Sequence, residues 1–184
     1  MPIQKLTKKE IILKSITVFR EKGYYRTSMS DLAKFCGLTK GAFYHHFKSK
    51  EEVMMKSLEM TSDWFKENIF SIGYDDGIPD DEKLENMLDF YQKVFLHKKG
   101  GCIFGNTVLE TILVEDTFKE ASLNFFQSWE KSLVKIFATK HAEKIAKEKS
   151  TQVIGNLQGA IILMILNDEP QYLKDAIVKS KELY

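Results

Sequence analysis

Lys40, Tyr44, His45, His46 and Lys50 fall within one short stretch of the chain, a cation, a phenol, two imidazoles and a second cation. Two chemistries use such a set: metal coordination and recognition of a polyanion. Neighbouring residues on a helix diverge by ~100°, so His45 and His46 cannot share one tetrahedral site, and no metal is expected. The remaining donors suit phosphate oxygens and base edges in a major groove. Gly41 adds a gap in the first turn of this segment, where free N–H groups and the positive helix end favour an anion. Lys50 opens the next helix, where a cation works against the helix dipole, and a nearby phosphate accounts for it. Reaction chemistry finds no footing. The chain has no GxSxG, P-loop, HExxH or paired carboxylates with a partner histidine, so neither catalytic residues nor a cofactor is expected.

The elements that must position these groups are legible from caps and periodicity. Thr7-Lys8-Lys9-Glu10 is a capping box with Leu6 and Ile11 at its staple positions. The helix it opens carries Ile12, Ile16 and Phe19 on one face and stops at Gly23. Ser28-x-x-Asp31 starts a second helix, with Leu32 and Phe35 read as inward and Gly37 as its end. Thr39 caps a third through Phe47, with Phe43 and Phe47 together on the core side and Tyr44 and Lys48 opposite. Ser49-x-x-Glu52 reads as a full box beginning a helix to about Phe70, with Val53, Leu58 and Phe65 as apolar positions. Gly73 to Pro79 is the clearest loop. Helical patterns resume at about residues 81–96, 103–113, 117–139, 150–167 and 171–183. No sustained period-two alternation appears, so the expected fold is all-α, with about nine helices. The helices fall into an N-terminal three-helix group with a helix-turn-helix over 1–48 and a C-terminal helical body over 49–184.

Bulk properties agree. Of 184 residues, 43% are hydrophobic and 12% aromatic, too apolar for a disordered chain. Residues 1–50 hold eleven Lys/Arg against three Asp/Glu, net +8, while the rest hold 16 against 23, net −7. A basic head on an acidic body suggests that one end faces a polyanion, while charge alone favours the competing reading of two ordinary solvated surfaces. Two cysteines make no disulfide framework, which fits a reducing cytosol, and no basic n-region with an apolar stretch suggests a secretory signal. The longest purely apolar run, Ala160 to Leu166, falls far short of the ~20 residues that cross a bilayer.

The string TSMSDLAKFCGLTKGAFYHHFKSK, Thr27 to Lys50, resembles the DNA-binding signature of TetR-type bacterial transcriptional regulators. The likeness spans about residues 8–58, and the length and helix layout of the remainder also fit. It implies an all-α homodimer whose N-terminal helix-turn-helix domain, 1–48, binds operator DNA and whose variable C-terminal domain, 49–184, binds a small-molecule effector and dimerises. It further implies phosphate or base contacts from Thr27, Ser28, Thr39, Lys40, Gly41, Tyr44, His45, His46 and Lys50. Cys36 departs from the usual alanine of the pattern, and a small buried thiol packs there without consequence.

The body is less specific. Gly101 to Glu110, GCIFGNTVLE, resembles a motif found in one branch of these regulators. Cys102, Asn106 and Glu110 recur every fourth residue and share one helical stripe. With Phe90, Phe95, Phe104, Phe126 and Trp129 they are the candidate ligand pocket; the competing reading has Asn106 and Glu110 bracing neighbouring helices and the aromatics as plain core. Cys102 follows a Gly-Gly break near Lys98 and Lys99, a setting that lowers a thiol pKa, so an electrophile or oxidant sensor is an alternative, against the favoured reading of a buried, inert cysteine. Ile154, Gly155, Gly159 and Ile162 are the candidate dimer interface, the two glycines permitting close helix approach; the competing reading buries this surface within the monomer, and the resemblance implies a symmetric four-helix contact between subunits. The resulting expectation is a cytoplasmic repressor that leaves a pseudo-palindromic operator when its effector binds. An activator, or a helical small-molecule-binding protein or enzyme without a DNA role, are its rivals.

Overall fold

The computed structural model describes residues 6–96 and 99–184, and these contain nine α-helices and no strand. In chain order they are α1 (Lys8–Lys22), α2 (Met29–Cys36), α3 (Lys40–His46), α4 (Lys50–Asn68), α5 (Asp80–Leu96), α6 (Ile103–Thr111), α7 (Lys119–Phe137), α8 (Glu143–Asn167) and α9 (Gln171–Lys181). A 3-10 turn, Phe70–Tyr74, follows α4. Lys98, the cation placed beside Cys102 by sequence, lies outside the described residues. None of the described helices is long and apolar enough to cross a membrane.

Contacts divide the chain into two compact units, residues 1–61 with 103–122, and residues 62–102 with 123–184. The expected boundary at 48–49 is the start of α4, whose first turns belong to the first unit. In that unit Ile11, Phe19, Leu32, Phe43, Val53, Leu58 and Phe118 are fully buried. The second unit is built on aromatic contacts. Tyr91 and Trp129 stack at 4.9 Å, Phe65 meets Phe125 edge-on at 5.3 Å, and Phe70 lies parallel to Trp129 at 6.1 Å. Val153, Leu157 and Ile161 of α8 and Leu173 and Ile177 of α9 are buried where the last two helices pack.

Both predicted boxes in the head form. Thr7 Oγ1 accepts from the Glu10 amide at 3.3 Å while Glu10 accepts from the Thr7 amide at 2.7 Å, and Ser28 and Asp31 pair in the same way. The third box is modified. Ser49 Oγ accepts from the Glu52 amide at 3.1 Å, but the Glu52 carboxylate accepts from Lys48 N, one residue earlier than the motif implies. Gly37, at φ +73°, closes α2 in the left-handed conformation that a glycine adopts without strain.

Two sequence expectations need correction. Phe35 is 50% exposed, because the inward stripe of α2 is Met29, Leu32, Ala33 and Cys36 and Phe35 lies off its edge. Helix α8 begins at Glu143, not Ser150. Its first turns carry no side-chain cap, and Ala146 is their one buried residue, so neither a cap signal nor an apolar rhythm announces them.

Candidate nucleic-acid interface

Helix α3 is short and two-sided. Phe43 and Phe47, 0% and 3% exposed, anchor it from within, their rings 5.8 Å apart. Thr39 caps its start, Oγ1 accepting from the Ala42 amide at 3.2 Å. Lys40, Gly41, Tyr44 and His45 are then exposed together, as the helical spacing predicts, while His46 is half-buried against Phe47. A Cβ built on Gly41 meets nothing within 4 Å, so backbone at this point is open to close approach by a ligand. Lys40 Nζ hovers 6.0 Å from the Tyr44 ring, leaving an ammonium and a phenol side by side on the outer face.

Three of the other nominated residues have intramolecular partners. Thr27 is 2% exposed, its hydroxyl donating to the Gly23 carbonyl at 2.6 Å. Ser28 is exposed but serves as the α2 cap. Lys50 Nζ donates to the Tyr24 carbonyl at 2.8 Å and lies 4.1 Å over the Tyr24 ring. A neutral carbonyl and an electron-rich ring face thus share the Lys50 ammonium at this helix start, beside any contact to phosphate. Burial pulls the Lys50 ammonium below its usual range, and Glu110, Glu115 and Glu51 oppose that shift.

Glu110 and Glu115 are the residues that sequence reasoning did not bring to the head. Glu110 accepts from the Tyr25 amide at 3.1 Å, Glu115 accepts from the Tyr25 hydroxyl at 3.0 Å, and Asn106 Nδ2 donates to the Arg20 carbonyl at 3.4 Å. Asn106, Glu110 and the buried Phe104 belong to the same compact unit as α1–α3. Two polar members of that stripe thus brace the head, Asn106 at the last turn of α1 and Glu110 at the turn that follows it. Nothing local in the sequence signals this, because the partners are backbone groups more than eighty residues away.

The other nominated pocket residues sit in the second unit. Phe95, Cys102 and Trp129 are buried at 5% exposure or less, Phe126 is half-buried and Phe90 is 37% exposed. The Trp129 indole N–H is buried and has no hydrogen-bond acceptor among the described residues. Nearby, the Tyr91 hydroxyl accepts from Gln158 Nε2 at 3.1 Å, and burial pushes the Tyr91 phenol well above its usual pKa. A cleft of about 240 Å³ opens beside Phe70 and Tyr74, walled by Lys66, Ser71, Ser128 and Lys131.

On α8, Gly155, Gly159 and Ile162 are exposed and Ile154 half-buried, with nothing within 4 Å of a Cβ built on either glycine. Ile162 at 54%, Ile165 at 49% and Leu166 at 76% extend this face as an apolar surface open to a partner.

Residues 11–55 match the bacterial regulatory proteins of the tetR family, and residues 82–178 match the C-terminal domain of LmrA/YxaF-like transcriptional regulators. The transcriptional repressor DhaR of Mycobacterium sp. (strain GP1) is 26% identical over 172 residues, covering 89% of this chain and 85% of that protein. The negative regulator of the icaADBC biofilm operon in Staphylococcus epidermidis is 40% identical over 58 residues, 32% of this chain and 31% of its own. In fold, a TetR transcriptional regulator from Legionella pneumophila superposes with a TM-score of 0.87 at 17% identity, covering 99% of this chain and 98% of that one.

Proposed function

The chain belongs to the TetR family of bacterial transcriptional regulators, and on that footing we propose that it is a homodimeric repressor released from operator DNA by a small molecule. The observation that carries the DNA-reading assignment is the outer face of α3, where Lys40, Gly41, Tyr44 and His45 are exposed together on a helix anchored by Phe43 and Phe47. In the operator complex Lys40 and Tyr44 reach phosphates and base edges, and His45 and His46 flank them. Thr39 and Ser28, exposed at the two caps, lie where hydroxyls can reach phosphate oxygens, and Lys50 can turn spare N–H donors outward. Thr27 supports the site from beneath by fixing the turn before α2.

Dimerisation through α8 and α9 gives the second reading helix. The exposed stripe of Gly155, Gly159, Ile162 and Leu166 is self-complementary in kind, apolar and smooth where the glycines lie. Two copies of α3 must then sit ~34–36 Å apart to enter successive major grooves of a pseudo-palindrome.

The effector enters the second unit, among Phe95, Phe126 and Trp129, where an indole N–H lacking an acceptor among the described residues offers one directional contact inside an apolar wall. We leave Asn106 and Glu110 out of that role, a reading supported by their bonds to the head. A coupling of ~1–3 kcal/mol changes operator affinity ~5–150-fold, enough to switch transcription in the cytoplasm. Burial of Cys102 at 5% exposure favours reversible binding over thiol chemistry as the trigger. Footprinting on the DNA that flanks the encoding gene tests the reading. It predicts a protected pseudo-palindrome whose protection fails in Tyr44→Ala, and uniform unprotected cleavage at low salt contradicts it.

A further inference from the structure

The turn from Gly23 to Thr27 sets where α2 begins, and through α2 where α3 points. It is braced from within: the Gly23 amide donates to Phe19 O at 2.9 Å, and the Thr27 amide to Tyr24 O at 3.2 Å. Yet its exposed groups are also gripped by residues 106–118. Glu110 holds the Tyr25 amide, Glu115 holds the Tyr25 hydroxyl, and Thr117 Oγ1 donates to Glu115 Oε2 at 2.9 Å. Phe118 meets the Tyr24 ring edge-on at 4.8 Å. The carboxylate packs directly against the turn, because a Cβ built on Gly23 would run into Glu110.

Two carboxylates here are electrostatically adverse. The first fifty residues carry net +8 and must approach a polyanion, and acids beside them repel it. Water could satisfy an exposed amide and phenol equally well, so solvation alone gives no reason for acids at these positions. What they provide is directional: charge-assisted bonds to one backbone N–H and one side-chain O–H, fixing the turn in position and rotation. They also sustain the charge of Lys50, which clasps the same turn from α4 through the Tyr24 carbonyl.

We propose that Glu110 and Glu115 are positioning residues for operator recognition, holding the Gly23–Thr27 turn so that α3 is presented in its reading pose without themselves touching DNA. This rests on the reading of α3 as the DNA-contacting helix. Loss of the grip lowers operator affinity by freeing the pose, and leaves the number of phosphate contacts unchanged.

The test uses the full-length protein and the duplex protected in the footprint, with a random duplex of equal length as control. Glu110→Ala should lose about tenfold in operator affinity, the scale of one hydrogen bond to a charged group. Affinity for the random duplex should hold, as should the slope of affinity against salt. Glu110→Gln keeps an acceptor oxygen and should return to within about threefold of wild type. Gly23→Ala is strained by its φ of +80° and by the Glu110 carboxylate together, so it should weaken operator binding, and adding Glu110→Ala should relieve the second part alone and give less than the product of the two losses. Should Glu110→Ala fail to fold, Tyr25→Phe carries the test, since it removes the Glu115 bond alone and should cost operator but not random-duplex affinity. Wild-type operator affinity in Glu110→Ala or Tyr25→Phe, or parallel loss on both duplexes, overturns the proposal while the regulatory reading stands. If wild type protects no duplex, the regulatory reading fails and this one with it.

Discussion

Substitution of Ile162 tests the dimer face with a magnitude that the structure supplies. The residue is 54% exposed, so roughly half of the ~1.5–3 kcal/mol available from burying an isoleucine, about 1 kcal/mol, remains to be gained on association. An isologous interface contains the residue twice, which makes Ile162→Ala worth about 2 kcal/mol, or about 30-fold in the dimer dissociation constant. Ile162→Asp should do more, because it also places two like charges in an apolar contact. Leu166, 76% exposed one turn on, offers a second site with the same expectation. Sedimentation velocity over a concentration series reads the monomer–dimer equilibrium directly, and circular dichroism checks that the helices persist. Operator affinity should fall with the dimer, since a lone α3 reaches one half-site. A dissociation constant within twofold of wild type for Ile162→Asp would refute the assignment of this face.

Other outcomes follow from the same geometry. Tyr44→Ala and Lys40→Ala should each weaken operator binding by about 1–3 kcal/mol in gel-shift titrations at matched salt, with melting temperature unchanged because both side chains are exposed. Hydrogen bonds from Ser28, aided by Lys22, hold the Asp31 carboxyl well below the usual range. Its contribution to stability is thus complete above the unfolded value of ~3.9 and is lost as pH falls through the lower folded value, so in acid melts Asp31→Asn should flatten stability against pH below about 4. Cys102, buried, and Cys36, buried with its thiol pushed up, should react slowly with a soluble disulfide reagent in the native protein and fast after denaturation. Rapid native labelling of Cys102, with release of DNA that Cys102→Ser abolishes, would revive a thiol trigger.

Features encoded locally were legible in the sequence. Thr7, Ser28 and Thr39 announce helix starts through side-chain bonds within three residues, and Gly23 and Gly37 announce ends through the positive φ they adopt. The outer face of α3 followed from spacing alone, since Phe43 and Phe47 a turn apart fix which side is buried. Features that depend on distant partners were not legible. Phe35 lies outward because the second helix buries a different stripe, and α8 starts early because packing at Ala146 stands in for a cap. The hold of Glu110 on Tyr25 spans 85 residues and ends on a backbone amide, which has no sequence signature. The Tyr24 carbonyl and ring that Lys50 meets, 26 residues away along the chain, show the same limit.

Operator recognition as proposed requires α3 to lie in a major groove as one of a pair. Fluorescence anisotropy of the footprinted duplex, titrated with wild type and Tyr44→Ala under stoichiometric and dilute conditions, addresses that directly. Two protomers per duplex, tight binding by wild type and a loss of tenfold or more in the variant are predicted. One protomer per duplex, or equal affinity of the two proteins, contradicts it.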